Sequence, residues 1–223
     1  MPSYKNHLLF SLLISIAVTA PFFPNVFYLS LAVIGASIVD LDHPLRNSNL
    51  LLLALFGIIL VLILYIIHSS ILLGLILILL SLIFFVSTHR GFMHSILGVT
   101  LIASLLTMFT YGAFQLLLKF SVPIIPSLAI IAVFLGILIL NKQVVPFYVI
   151  LSFLGIFLVS YASFNVFYVF LSFVLGLMGH IILDMFTGRG VALFSPLYSK
   201  KFGKKMLIFL IILWMMGLIW FYI

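Results

Sequence analysis

The chemistry available to this chain sits in three short motifs. The stretch Gly176 to Pro196, GLMGHIILDMFTGRGVALFSP, sets His180 and Asp184 four residues apart in an otherwise apolar run. Positions i and i+4 share one face of an α-helix, so an imidazole and a carboxylate spaced this way can hold one cation together. The competing reading is a buried polar pair that satisfies itself by hydrogen bonding. The second motif is Asp40-Leu41-Asp42-His43-Pro44. Carboxylates two apart cannot share a helical face, yet both can turn toward a cation where the helix unwinds ahead of proline. Hard oxygen donors suit bridging between divalent ions. Without a cation these charges are badly placed, because a helix C-terminus already carries partial negative charge.

The third motif is His89-Arg90-Gly91-Phe92-Met93-His94-Ser95. Gly91 permits a tight turn, which leaves His89 in a loop and His94 at the start of the next helix. Neutral imidazoles ligate zinc and similar metals. Arg90 between them is a planar fork suited to phosphate oxygens. The alternative is a wet interfacial loop that happens to contain these residues. Arg189 follows the first motif in Thr187-Gly188-Arg189-Gly190, where the glycines end the helix, and it can reach the same mouth.

The acid inventory favours function. The chain has 3 acidic side chains, Asp40, Asp42 and Asp184, and no Glu. A solubilising surface would scatter acids, whereas these fall in two clusters that also contain histidine. An ionisable residue at membrane depth costs about 2.5–3.5 kcal/mol on insertion scales, so such residues mark functional sites. Membrane depth is the relevant setting. Over 223 residues the chain is 66% hydrophobic and 6% charged, with a mean hydropathy of +1.51. Soluble domains carry about 25% charged residues. The expectation is an all-α, polytopic transmembrane bundle forming one integral-membrane domain over 1–223. The absence of Cys excludes disulfides, thiolate metal sites and a cysteine nucleophile.

Nine apolar segments can be read, at roughly 8–20, 26–39, 50–67, 71–87, 93–118, 122–140, 144–162, 164–186 and 206–223. The first two are short for a core about 30 Å thick, which wants about 20 residues. They are expected to tilt or to form a re-entrant hairpin. Lys5 ahead of an apolar run imitates a signal peptide, but Pro21 just after the small residues Thr19 and Ala20 favours retention as a first helix.

Alternation across nine segments puts Lys5, Arg46, Arg90, Lys142, Arg189, Lys200, Lys201, Lys204 and Lys205 on the side of the N-terminus, and only Lys119 opposite. By the positive-inside rule that side is cytoplasmic and the C-terminus lies outside. Lys200, Lys201, Lys204 and Lys205 would meet anionic lipid head groups. No nucleic acid is expected as a partner, since the +7 charge reads as a topology signal. His7, His43, His89, His94, His180 and all three acids fall at this same face, while His68 falls at the other as an interfacial turn residue. The segment 119–145 is expected only to support the bundle.

The motifs in this order, from H-L-L-F at His7 through D-L-D-H-P and H-R-G-F-M-H-S to G-H-I-I-L-D-M-F-T-G-R-G-V-A-L-F-S-P, resemble the YdjM-like family of inner-membrane metal-dependent hydrolases, some described as LexA-regulated or LexA-binding. They cover about a fifth of the chain. The family is distantly similar to zinc-dependent phospholipase C and P1-type nuclease. That resemblance implies ligand roles for His7, Asp40, His89, His94, His180 and Asp184, with Asp42 a bridging ligand or general base. His7 would carry no assignment without it. This chain has Met93 where Thr is usual and Gly188 where Pro often stands, and neither change removes a ligand.

The combined expectation is a cell-membrane hydrolase with two or three divalent ions, zinc being the expected metal, that cleaves a phosphoester on a membrane lipid at the cytoplasmic face. Arg90 and Arg189 would hold the phosphoryl oxygens. The alternatives are a divalent-cation or solute transporter, since His and Asp in helices also mark ion pathways, and a non-catalytic regulatory membrane protein.

Overall fold

The computed structural model describes residues 4–19, 26–42, 47–87, 91–158, 164–186, 190–209 and 212. Apolar runs broken by proline, glycine and polar turns become eight α-helices here: α1 (Tyr4–Thr19), α2 (Val26–Ile38), α3 (Asn47–Ile66), α4 (Leu72–Val86), α5 (Ile96–Lys119), α6 (Ile124–Ile139), α7 (Val145–Leu158) and α8 (Val166–Met185). Residues 204–209 are also helical. Two short 3₁₀ turns, Val39–Asp42 and Phe92–His94, continue α2 and precede α5. No strand occurs among the described residues; Val191 and Phe202 make one isolated antiparallel bridge.

The surface identifies the solvent. Leu51, Leu55, Ile58, Ile59, Leu62 and Ile63 of α3 are all exposed, as are Phe147, Ile150 and Leu154 of α7. Water would penalise each by about 25 cal/mol per Å², whereas hydrocarbon does not. Three helical stretches are long and apolar enough to cross a membrane, Ser48–Ile66, Ile96–Lys119 and Val166–Met185. They mark the chain as a membrane protein. The other apolar helices are shorter, so the nine expected segments are not nine clear spans.

The short α2 does not depend on lipid. From Phe27 to Leu41 every side chain except Leu29 and Asp40 is buried, because α2 packs against α1, α6, α7 and α8. A helix apolar all round belongs inside the bundle. Its closest neighbour is α8. A Cβ on Gly176 would stand 2.0 Å from the Ala32 carbonyl oxygen, and one on Gly35 would stand 2.7 Å from that of Phe173. Small residues at facing positions let two helix backbones approach this closely.

Contacts along the helices set their directions. Tyr28 accepts from the backbone N–H of Asn165 at 2.9 Å, and Ala36 meets His180 a few turns further on, so α2 and α8 run parallel. Ser11 donates to Gly176 O at 3.3 Å while His7 meets Asp184, so α1 opposes α8. Phe114 stacks on Phe164 at 4.2 Å while His94 meets Asp184, so α5 opposes α8 as well. The N-terminal ends of α1 and α5 and the C-terminal ends of α2 and α8 therefore lie together.

Past α8, Val191, Ala192 and Leu193 form a buried loop. Gly190 turns it with a φ of 63°. The Leu193 carbonyl accepts the Ile96 N–H at 2.9 Å, which satisfies one donor at the start of α5. Ser95 caps that helix by accepting from Gly98 N at 3.0 Å. His94 consequently sits in the 3₁₀ turn ahead of the cap rather than opening α5 itself, as the sequence reading had it.

Candidate metal centre

Where those four helix ends meet, three imidazoles surround one carboxylate. Asp184, in the last turn of α8, is 2% exposed. Its Oδ1 lies 3.7 Å from His7 Nε2, and its Oδ2 lies 3.3 Å from His94 Nε2 and 3.8 Å from His180 Nε2. Asp40, in the 3₁₀ turn after α2, brings its Oδ1 to 3.6 Å from the same His180 nitrogen. His7, His94 and His180 are all buried. The His7 and His180 rings stack with centroids 4.1 Å apart.

These separations bear on the two readings of the His180–Asp184 pair. A direct hydrogen bond between imidazole and carboxylate would place nitrogen and oxygen at about 2.7–2.9 Å. Ligands at about 2.0–2.2 Å around a tetrahedral ion stand about 3.3–3.6 Å from one another. The 3.3 Å of His94–Asp184 and the 3.6 Å of His180–Asp40 fall in that range, and the 3.7 Å of His7–Asp184 and the 3.8 Å of His180–Asp184 lie just beyond it. Ligand atoms of His7, His180 and Asp184 all lie within 4.8 Å of one another. The donor set therefore fits a divalent ion.

Electrostatics points the same way. The C-terminal ends of α2 and α8 meet the N-terminal ends of α1 and α5 here, so their partial charges offset one another. The charge left to account for is that of Asp40 and Asp184. Burying a carboxylate costs several kcal/mol unless it is compensated, and a divalent cation would compensate both.

The orientation of His180 is also set. Its Nδ1 lies 2.8 Å from the carbonyl oxygen of Ala36. A carbonyl only accepts, so Nδ1 donates its proton to Ala36, and in the neutral ring the Nε2 lone pair faces the carboxylates. Ala36 was missed from the sequence because a backbone oxygen leaves no residue-type signature. The small residues Ala32, Gly35 and Ala36 of α2 and Gly176 of α8 were the available signal.

Of the residues expected at the site, the structure brings together His7, Asp40, His94, His180 and Asp184. Asp42 ends the 3₁₀ turn, but its side chain lies outside the described residues, as do His43, His89, Arg90 and Arg189. His68 is exposed in the turn between α3 and α4, at the far end of the bundle. Lys200, Lys201, Lys204 and Lys205 are exposed on either side of Phe202, which pairs with Val191 of the loop after α8. No family model, curated protein or solved structure matches the chain, so the functional argument rests on the centre itself.

Proposed function

We propose that this membrane protein is a metal-dependent hydrolase that cleaves a phosphoester of a membrane lipid at a cytoplasm-facing centre. The observation that carries the reading is the convergence of His7, His94 and His180 on Asp184, with Asp40 against His180. Imidazole and carboxylate donors without sulfur suit zinc or a similar ion. When bound there, such an ion supplies Lewis acidity and a water acidic enough to ionise near neutral pH.

The chain's own residues supply the rest. His180 presents Nε2 because Ala36 holds its Nδ1 proton. Asp184 turns one oxygen toward His7 and the other toward His94 and His180, so it would be a ligand together with these imidazoles. The resemblance would add Asp42 and His89 to Asp40 as further ligands for a total of two or three ions. Asp42 is assigned as bridging ligand or as the base that takes a proton from the attacking water. Arg90 and Arg189 would hold the non-bridging phosphoryl oxygens. The resemblance to YdjM-like hydrolases supports the same assignment.

The placement follows from charge. Nine membrane segments, with α1 retained as the first, put all but one of the basic residues on the side of this centre, which makes that side cytoplasmic. Lys200, Lys201, Lys204 and Lys205 then lie against anionic head groups of the inner leaflet. A carrier needs ligands along a route across the membrane. Among the described residues, histidine and acid crowd at one end instead, and only His68 stands at the other.

The test is purification without chelators, followed by elemental analysis and turnover of both a phospholipid and a soluble phosphodiester. About two zinc-like ions per chain are expected, with turnover lost on chelation and restored by zinc. Metal-free, inactive protein would leave the non-catalytic reading. Bound metal with cation uptake and no turnover would make the protein a carrier.

A further inference from the structure

Between α4 and the turn that carries His94 runs an open crevice of about 510 Å³, within the roughly 300–1,000 Å³ span of ligand sites. On its lip, Leu82 and Val86 are 56% and 74% exposed, so it opens toward lipid. Met93 lines the crevice and is fully buried. The next residue is His94, whose Nε2 faces Asp184. The same 3₁₀ turn thus lines the crevice and carries a residue of the candidate centre.

The character of that wall sets this crevice apart. Two others lie between α3 and α4 and between α1, α2 and α7, along ordinary seams of helix against helix. Here one side is the Gly91–Ser95 segment, a single 3₁₀ turn between two helices, joined by Ser195 from the loop after α8. Membrane proteins keep irregular backbone at lipid depth only where it is buried or lines a cavity. Its lining is chiefly apolar, with Leu82, Ile83, Val86, Phe92 and Met93, which suits a hydrocarbon chain.

We infer that this crevice seats one acyl chain of a bilayer phospholipid and delivers its head group to the His94 side of the centre. The inference deepens the proposed function and rests on it for the fate of the head group. The lipid enters sideways from the bilayer past α4, not from the aqueous face.

Full-length protein in phosphatidylcholine nanodiscs containing a phosphatidylcholine with a photoactivatable diazirine in its acyl chain tests this. Crosslinks mapped by mass spectrometry are expected to concentrate on Leu82, Val86 and Met93. Ile83→Trp, which fills the crevice from its half-buried wall, is expected to cut crosslinking there about tenfold, the effect of losing burial of about two methylenes. Leu9→Trp, in the crevice of α1, α2 and α7, should leave the pattern unchanged. Crosslinks spread evenly over exposed helices, or concentrated around Leu9 and Phe147, overturn the inference. The wild-type map decides even where Ile83→Trp fails to fold. Hydrolysis of a soluble phosphodiester by the wild-type protein reports separately on the proposed function. It survives where only the crevice is misassigned. Crevice crosslinks without any such hydrolysis uphold the lipid seat and remove the hydrolase reading.

Discussion

The Nδ1 of His180 and the carbonyl oxygen of Ala36 lie 2.8 Å apart, joining α8 to α2 across 144 positions of sequence. The bond commits Nδ1 and turns Nε2 toward Asp40 and Asp184, so a helix-packing contact orients a residue of the candidate centre. It can form because Gly176, one turn before His180, lets α2 come close enough for Ala32 and Ala36 to touch α8.

Gly176→Ala tests that dependence. The new methyl would meet Ala32 O at 2.0 Å, and backbone cannot yield as a flexible side chain would. Overpacking of this kind costs about 1–3 kcal/mol. Moving α2 away also releases His180, and loss of an outer partner typically costs about 10–100-fold in metal affinity. Thermal unfolding and zinc titration on the same preparation should show both effects. A fall in stability with unchanged affinity would confine Gly176 to packing.

Asp184→Asn keeps the shape of the side chain and removes its charge, and it should lose metal. Three imidazoles face this one carboxylate, so the loss should exceed the roughly 100-fold upper range for an outer partner. His68→Ala, in an exposed turn at the far end of the bundle, should retain full metal content. Elemental analysis of both variants decides. Equal metal in Asp184→Asn and wild type would remove the centre.

Arg90 separates catalysis from storage. A cation store gains nothing from a positive side chain beside two histidines, whereas a phosphoester site gains a partner for charge developing on oxygen. Arg90→Ala should keep metal content near normal and lower turnover about 10²- to 10³-fold, the effect of losing about 2.7–4 kcal/mol of transition-state stabilisation. Arg90→Lys should recover part of this, because ammonium lacks the bidentate fork. Unchanged turnover in Arg90→Ala removes its phosphate role.

Topology follows from the alternation of the helices. Reporter fusions after Lys119, which ends α5, and after Lys142, between α6 and α7, should report opposite sides, with Lys142 cytoplasmic. The same side for both would break the parity that brings the motifs to one face.

The sequence by itself determined where the helices run and that His180 and Asp184 share a face, because both depend on local periodicity and on the solvent an apolar run prefers. Alternating the segments also brought His7, Asp40, His94 and Asp184 to one level. Only the tertiary structure decided that these side chains meet. Contact between α1, α2, α5 and α8 depends on which faces carry small residues at matching heights, as Gly35 and Gly176 do, and that is a property of pairs of helices far apart in the chain. The short α2 shows the same division. Its composition suits lipid, but its burial is set by four neighbouring helices. The place of His94 depended on the Ser95 cap and the Leu193 carbonyl, whose hydrogen bonds settle where α5 begins and hold the turn against Asp184.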